Sequence, residues 1–146
     1  MRNKRRERYT WLINSKEHAM SNIKIVQDFI AKWEAQDVDG IVSSFTDDPF
    51  YHNMPMEPLT SKETIRAFIE PFMEPVTKVT WTVHSIAEDS SGAVLTERVD
   101  AFEYGEKRVA LPVMGTFEIT NGKIAKWRDY FDLRDFENQM ASLQEE

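Results

Sequence analysis

Apolar residues in the first part of the chain recur every three or four positions, which predicts amphipathic helices. The first predicted helix buries one apolar stripe, formed by Ile25, Val26, Phe29, Ile30 and Trp33. Ser21 or Asn22 can cap this helix, which is expected to end near Gln36. A second, shorter helix is expected over 37–45, with its apolar residues facing inward.

The next segment is expected to contain one strand and one more helix. Asp47-Asp48-Pro49 should end the second helix and lead into a strand that carries Tyr51 and Asn53. Thr60 and Glu63 fit a capping box, which predicts that the third helix begins at Thr60.

From Thr77 onward, β-branched residues and alternating polarity predict an antiparallel meander. Its strands are expected over 79–86, 94–102, 108–119 and 124–131. Asn121-Gly122 is a strong hairpin signal, and Asp132 can cap a terminal helix. Helices followed by a meander predict an α+β fold, with a curved mixed sheet packed on the N-terminal helices.

Three of the predicted strands carry polar or aromatic side chains two positions apart, and such side chains share one face of a strand. The sets are Tyr51 with Asn53, Arg98 with Asp100, and Trp127 with Asp129 and Phe131. If these faces line one pocket, it holds two carboxylates, a guanidinium, a phenol and a carboxamide among aromatic walls. This combination suits acid–base activation of water beside an apolar substrate.

An isolated Arg-x-Asp pair is more often an exposed ion pair of little energetic value. Here the strand lies in the middle of the meander, where one face should meet the core, and Phe102 continues the face of Arg98 and Asp100. Burying Asp100 and Asp129 without a cation would be unfavourable, and Arg98 is a candidate partner for both. Two neighbouring carboxylates tend to share one proton, which provides one acid and one base.

Charge is distributed unevenly along the 146 residues, whose net charge is −7. The first 20 residues contain six Lys/Arg and two Asp/Glu, a balance of +4, and the remainder carries −11. An acidic body would repel phosphates, so we expect no nucleic-acid partner. Residues 1–20 are predicted to be an extension, either disordered or upstream of the true start, and 21–146 to be a single domain.

Composition excludes several classes of site. The chain has no Cys, so a thiolate ligand and a Cys nucleophile are excluded, which is compatible with the cytoplasmic location we expect. Its three His are widely spread, so no metal site is predicted. No apolar run is long enough to span a bilayer, and we expect no membrane partner.

Three strings together resemble limonene-1,2-epoxide hydrolases: Tyr-x-Asn-Met-Pro from 51, Thr-Glu-Arg-Val-Asp from 96, and Trp-Arg-Asp-Tyr-Phe-Asp-Leu-Arg from 127. The likeness runs from about Ile23 to the terminal helix. It implies the cone-shaped fold with a deep pocket of the nuclear-transport-factor-2-like superfamily, which includes SnoaL-like polyketide cyclases and ketosteroid isomerases. The order of the predicted helices and strands agrees with that architecture.

The resemblance implies a role for each polar residue of the three strings. Asp129 becomes the base that deprotonates water, and Tyr51 and Asn53 help to bind that water. Asp100 becomes the acid that protonates the epoxide oxygen, and Arg98 bridges the two carboxylates. The implied pocket lining falls on Phe102, Leu111, Val113, Phe131 and Phe136. Trp127, on the face of Asp129, is a further candidate for the lining.

The resemblance also implies a cofactor-independent homodimer that adds water directly to an apolar, cyclic or terpene epoxide and releases a vicinal diol. Hydrolases that form a covalent Asp ester need a larger α/β-hydrolase domain, so a short chain fits direct water attack better. Two alternatives stay open: an isomerase or cyclase of the same fold acting on a polycyclic carbonyl substrate, and a non-catalytic ligand-binding domain. An isomerase does not need a second carboxylate bridged by Arg98, so the polar set favours hydrolysis.

Overall fold

The structure, a computed structural model, describes residues 21–145, so the predicted extension over 1–20 lies outside the described residues. The helices are α1 (Asn22–Glu34), α2 (Val38–Ser43), α3 (Lys62–Met73) and α4 (Leu133–Ser142). The strands are β1 (Phe45–Asn53), β2 (Lys78–Glu88), β3 (Val94–Tyr104), β4 (Lys107–Thr120) and β5 (Lys123–Tyr130). The predicted α+β class is confirmed. No helix of the described part is long and apolar enough to cross a bilayer.

The five strands form one sheet in the order β1-β5-β4-β3-β2. Strands β2 to β5 form the predicted antiparallel meander, and β1 joins its edge parallel to β5, which makes the sheet mixed. The parallel pairing places Tyr51 opposite Trp127 and Asn53 opposite Asp129. Breaks in register within β1 and β2 interrupt the regular ladder, and such irregularities bend a strand. The sheet is therefore curved.

Helix α1 packs its apolar stripe against the sheet and closes one side of the core. Ser21 caps it by accepting a hydrogen bond from the backbone of Lys24 at 3.1 Å. The Phe29 ring meets Trp127 edge-on, with centroids 5.1 Å apart, and the Trp33 ring stacks on Trp81 at 4.9 Å. Full burial of each such side chain contributes about 1.5–3 kcal/mol, so the stripe is a main anchor of the fold.

Two predicted boundaries were wrong. The second helix ends at Ser43, not at Phe45, because Phe45 is fully buried and pairs with Ile124 as the first residue of β1. Its helical spacing was outweighed by strand pairing and core packing. Asp47-Asp48-Pro49 therefore lies within β1, where its register with β5 breaks, a place that tolerates proline.

The cap of α3 also differs from the prediction by one residue. Ser61, not Thr60, is the N-cap, and its hydroxyl accepts a hydrogen bond from the backbone of Thr64 at 3.1 Å. The Thr64 hydroxyl in turn accepts from the backbone N–H of Ser61 at 3.2 Å, which closes a reciprocal capping box. At the other end of the chain, Asp132 caps α4 as expected.

Candidate active site

An apolar pocket of about 170 Å³ lies between the concave face of the sheet and helices α1, α3 and α4. Six of the apolar residues that line it were expected from the sequence: Phe102, Leu111, Val113, Trp127, Phe131 and Phe136. Four polar residues also line it, namely Tyr51, Asn53, Asp100 and Asp129. The structure thus brings both sets together, with polar groups from β1, β3 and β5 facing one cavity.

Arg98 lies behind the pocket wall and links both carboxyl groups. Its Nε donates to Asp100 Oδ1 at 2.8 Å and its Nη2 to Asp100 Oδ2 at 3.1 Å, a bidentate pair. Nη2 also donates to Asp129 Oδ2. The Arg98 side chain is almost fully buried, with its guanidinium carbon 4.8 Å from the centroid of the Trp81 ring.

This bridge follows from the sheet topology. Asp100 lies on β3 and Asp129 on β5, and β4 separates these two strands. The sequence spacing aligns Arg98 and Asp100 on one face, but Arg98 reaches Asp129 only by extending across β4. A long side chain with several donors in a fixed planar fork can make both contacts at once.

Asp129 has a second donor besides Arg98. The indole N–H of Trp127 donates to Asp129 Oδ1 at 2.7 Å, from two positions earlier on the same strand. The Trp127 ring is fixed between Tyr51 and Phe117, with stacked centroids 4.2 and 5.3 Å away. Trp127 is therefore both part of the pocket wall and a support for the Asp129 carboxyl.

Tyr51 and Asn53 form a polar pair on β1, beside Asp129. Asn53 Nδ2 donates to the Tyr51 hydroxyl at 3.0 Å, and the hydroxyl lies 3.3 Å from Asn53 Oδ1. His52 is on the opposite face of β1, where its Nε2 lies 2.7 Å from the carbonyl oxygen of Met56. The described residues contain no group of three or more His, Cys, Asp and Glu that could hold a metal.

Burial has the largest effect on the pKa values of the ionisable groups in the site. It raises the pKa of Asp100 to about 7, with Arg98 opposing the shift and Asp129 adding to it. Burial likewise raises the pKa of Asp129, against the attraction of Arg98 and the hydrogen bond from Trp127. Burial lowers the pKa of Arg98, but the two carboxylates outweigh this effect and keep the guanidinium charged.

These effects favour one shared proton on the two carboxyl groups at neutral pH. With one carboxylate ionised, its charge balances Arg98 and the buried trio is neutral, whereas two carboxylates would leave a net negative charge away from water. Burial and the charge of Asp129 also raise the pKa of Tyr51, so its hydroxyl stays protonated and can donate a hydrogen bond. The site therefore contains an acid, a base and hydrogen-bonding groups at one end of an apolar cavity.

Five further residues line the pocket and were not predicted from the sequence: Trp33, Met56, Phe68, Phe72 and Trp81. Two of them carried a weak signal, since Trp33 ends the apolar stripe of α1 and Phe68 lies on the apolar face of α3. Helical spacing shows that such residues point inward, but it does not distinguish a packed core from a cavity wall. Met56, in the loop after β1, had no signal in the sequence.

The chain is similar to known epoxide hydrolases. A family model described as the limonene-1,2-epoxide hydrolase catalytic domain matches residues 20–142. Epoxide hydrolase EphG of Mycobacterium tuberculosis is 33% identical over 110 residues, which cover 75% of this chain and 72% of that protein.

Two solved structures have a similar fold. The structure of an M. tuberculosis LEH-like epoxide hydrolase matches with a TM-score of 0.70 and 32% identity, over 84% of this chain and 91% of that one. A Shewanella putrefaciens protein assigned to the SnoaL-like polyketide cyclases matches with a TM-score of 0.73 over 87% of this chain and 90% of its own. Its identity is 13%, so it shows the fold alone. The predicted nuclear-transport-factor-2-like, SnoaL-like fold is confirmed.

Proposed function

Because the chain belongs to the limonene-1,2-epoxide hydrolase family, we propose that it adds water directly to an apolar epoxide and releases a vicinal diol. The observation that carries this proposal is the pair of buried carboxyls, Asp100 and Asp129, bridged by Arg98 at one end of an apolar pocket. Epoxide opening requires a base for the attacking water and an acid for the leaving oxygen, and this pair provides one of each.

In the proposed step, the Asp129 carboxylate takes a proton from a water molecule that Tyr51 and Asn53 also hold. The water oxygen attacks one epoxide carbon, the bond from that carbon to the ring oxygen breaks, and Asp100 donates a proton to that oxygen. Asp129 suits the role of base because Arg98 and Trp127 both donate to its carboxyl and so stabilise its charge.

The same step keeps the charge of the buried trio constant. Before the reaction Asp100 holds the shared proton, and afterwards Asp129 holds one while Asp100 is ionised. Arg98 contacts both carboxyls, so the charge it balances moves from one partner to the other without leaving its reach. A proton transferred back to Asp100 restores the starting state. A dry cavity favours such a cycle because no net charge is created in it.

The apolar walls support a hydrophobic, ring-shaped substrate, for which we propose cyclic or terpene epoxides. Phe72, Phe102 and Phe136 line the cavity, and its polar groups lie together around the two carboxyls. An isomerase or cyclase reaction could proceed with one carboxylate as base, and the second carboxyl with its Arg98 bridge favours hydrolysis. A homodimeric assembly and a preference for limonene-like rings stay predictions from the family resemblance, and a cytoplasmic location stays a prediction from the absence of Cys.

The first test is diol formation from a panel of terpene and simple cyclic epoxides, with Asp129→Asn as the matched control for uncatalysed hydrolysis. We expect at least one cyclic epoxide to be hydrolysed at a rate far above that of the control. If wild type and control give the same rate on the whole panel, the proposed function is wrong.

The second test is a single turnover in ¹⁸O-labelled water, with enzyme in excess over epoxide. Direct attack places the label in the diol in that first turnover. A covalent route would instead deliver an unlabelled carboxylate oxygen to the diol and leave ¹⁸O in an Asp of the enzyme. That second pattern would refute direct water attack while leaving hydrolysis itself intact.

A further inference from the structure

We propose that Thr96 and Gly115 form a seat that fixes the Arg98 guanidinium between Asp100 and Asp129, and that both are positioning residues for the reaction. The inference rests on the proposed epoxide hydrolysis and deepens it. Neither residue lines the pocket, so each would act through Arg98. Thr96 and Gly115 together are called the Arg98 seat.

Gly115 provides the space through which Arg98 reaches Asp129. It lies on β4, in register with Thr96 on β3 and with Asp129 on β5. A Cβ atom at this position would lie 2.4 Å from Arg98 Nη1 and 2.4 Å from Asp129 Oδ1, far inside ordinary contact distance. The missing side chain therefore leaves the gap in which the guanidinium and the carboxylate meet.

Conformational freedom does not explain this glycine. The described glycines with positive φ are Gly92, Gly105 and Gly122, all in turns, whereas Gly115 lies in the interior of a long strand. Glycine weakens a strand interior, and its presence there often marks a close approach by another group. At Gly115 the approaching groups are the charged ends of Arg98 and Asp129.

Thr96 holds the nitrogen of Arg98 that neither carboxyl binds. Arg98 Nη1 donates to Thr96 Oγ1 at 3.0 Å, and the Thr96 hydroxyl lies 3.4 Å from the carbonyl oxygen of Gly115. Thr96 is 1% exposed, so water is not a ready substitute for this partner. With Nε and Nη2 on the carboxyls and Nη1 on Thr96, the guanidinium is fixed at all three of its nitrogens.

The matched variants are Thr96→Val, which keeps the shape of the side chain but removes the hydroxyl, and Thr96→Ser, which keeps the hydroxyl. Thr116→Val is the control, since Thr116 is half-buried on the other face of β4, one position from Gly115. We expect Thr96→Val to lower kcat about tenfold, as for loss of one hydrogen bond to a charged group. Thr96→Ser should recover most of the rate.

The pH profile separates positioning from general stability. The ionisable groups that face Asp129 are Arg98, Asp100 and Tyr51. Arg98 lowers the pKa of both carboxyls, so a displaced guanidinium should move both limbs of the kcat/KM profile to higher pH. A variant that is only less stable would show a lower maximal kcat/KM or a lower melting temperature, but neither limb of its pH profile would move.

A readout that needs no turnover keeps this inference separate from the proposed function. The indole N–H of Trp127 donates to Asp129, so its ¹H–¹⁵N NMR signal should follow the protonation of that carboxyl. We expect the midpoint of this titration to rise in Thr96→Val and in Gly115→Ala, and to stay in place in Thr116→Val. Gly115→Ala is an independent probe if Thr96→Val does not fold.

The outcomes are distinct. Unchanged Trp127 midpoints in both variants, or an equal shift in Thr116→Val, would overturn the Arg98 seat even if the wild type hydrolyses epoxides. Shifted midpoints in a protein that hydrolyses no epoxide would overturn the proposed function and support the seat. Shifted midpoints together with displaced pH limbs and rescue by Thr96→Ser would support both.

Discussion

Replacing Arg98 by Lys, which preserves the charge, is expected to remove nearly all activity. The guanidinium donates through Nε and Nη2 to Asp100 and through Nη2 to Asp129, whereas Lys has one shorter-reaching nitrogen. The Lys nitrogen replaces at most the contacts of Nη2, so at least two hydrogen bonds from the charged group are lost, namely Nε to Asp100 and Nη1 to Thr96. At about 1.5–3 kcal/mol each, the loss is about 3–6 kcal/mol. If this free energy is lost from the stabilisation of the transition state, kcat/KM drops roughly 10²- to 10⁴-fold.

The assay is kcat/KM for diol formation on the best epoxide of the panel, with circular dichroism and thermal melting as checks of folding. Arg128→Lys is the matched control. Arg128 lies on β5, one position from Asp129, where its Nη1 donates to Glu118 at 2.7 Å on the half-buried outer face. The control should keep its rate, since partly exposed ion pairs contribute little.

Two results would refute this reasoning. If folded Arg98→Lys turned over at close to the wild-type rate, one cation near the carboxyls would suffice and the planar bridge would be unnecessary. If Arg128→Lys lost as much activity as Arg98→Lys, the effect would belong to the packing of β5 and not to the bridge.

Three further predictions concern the two carboxyls, the pKa of Asp100 and the first 19 residues. Asp100→Asn and Asp129→Asn should each lower kcat a hundredfold or more without unfolding the protein, because each carboxyl has its own proton transfer; near-normal turnover by either folded variant would exclude that role. Asp100, whose pKa rises from 3.8 to about 7 on burial, binds its proton more tightly when folded, so this group's contribution to stability should decline between those pH values. Urea unfolding across that window should give Asp100→Asn a less negative slope than wild type, and equal slopes would contradict the raised pKa. A chain shortened to begin at Met20 should keep its rate and its melting temperature, because residues 1–19 lack a sustained apolar pattern; a large loss of either would show that they contribute.

Local patterns in the sequence specified most of the helices and strands. The 3.6-residue stripe of α1 and the twofold alternation of the meander are properties of the backbone repeat, so they can be recognised without tertiary information. The Asn121-Gly122 turn, with φ of 50° and 75°, and the Asp132 cap are equally local, because each depends on conformations or hydrogen bonds within a few residues. The same alternation placed Arg98 and Asp100 on one face.

Tertiary structure decided whatever depends on residues far apart in sequence. Phe45 became a strand residue because it pairs with Ile124, and helical spacing could not predict this. The strand order put β4 between Arg98 and Asp129, so their contact depends on the space at Gly115, a residue with no polar group to attract notice. Alternation assigns a side chain to a face of its own strand, but only the packed sheet determines which faces meet and where a cavity is left between them.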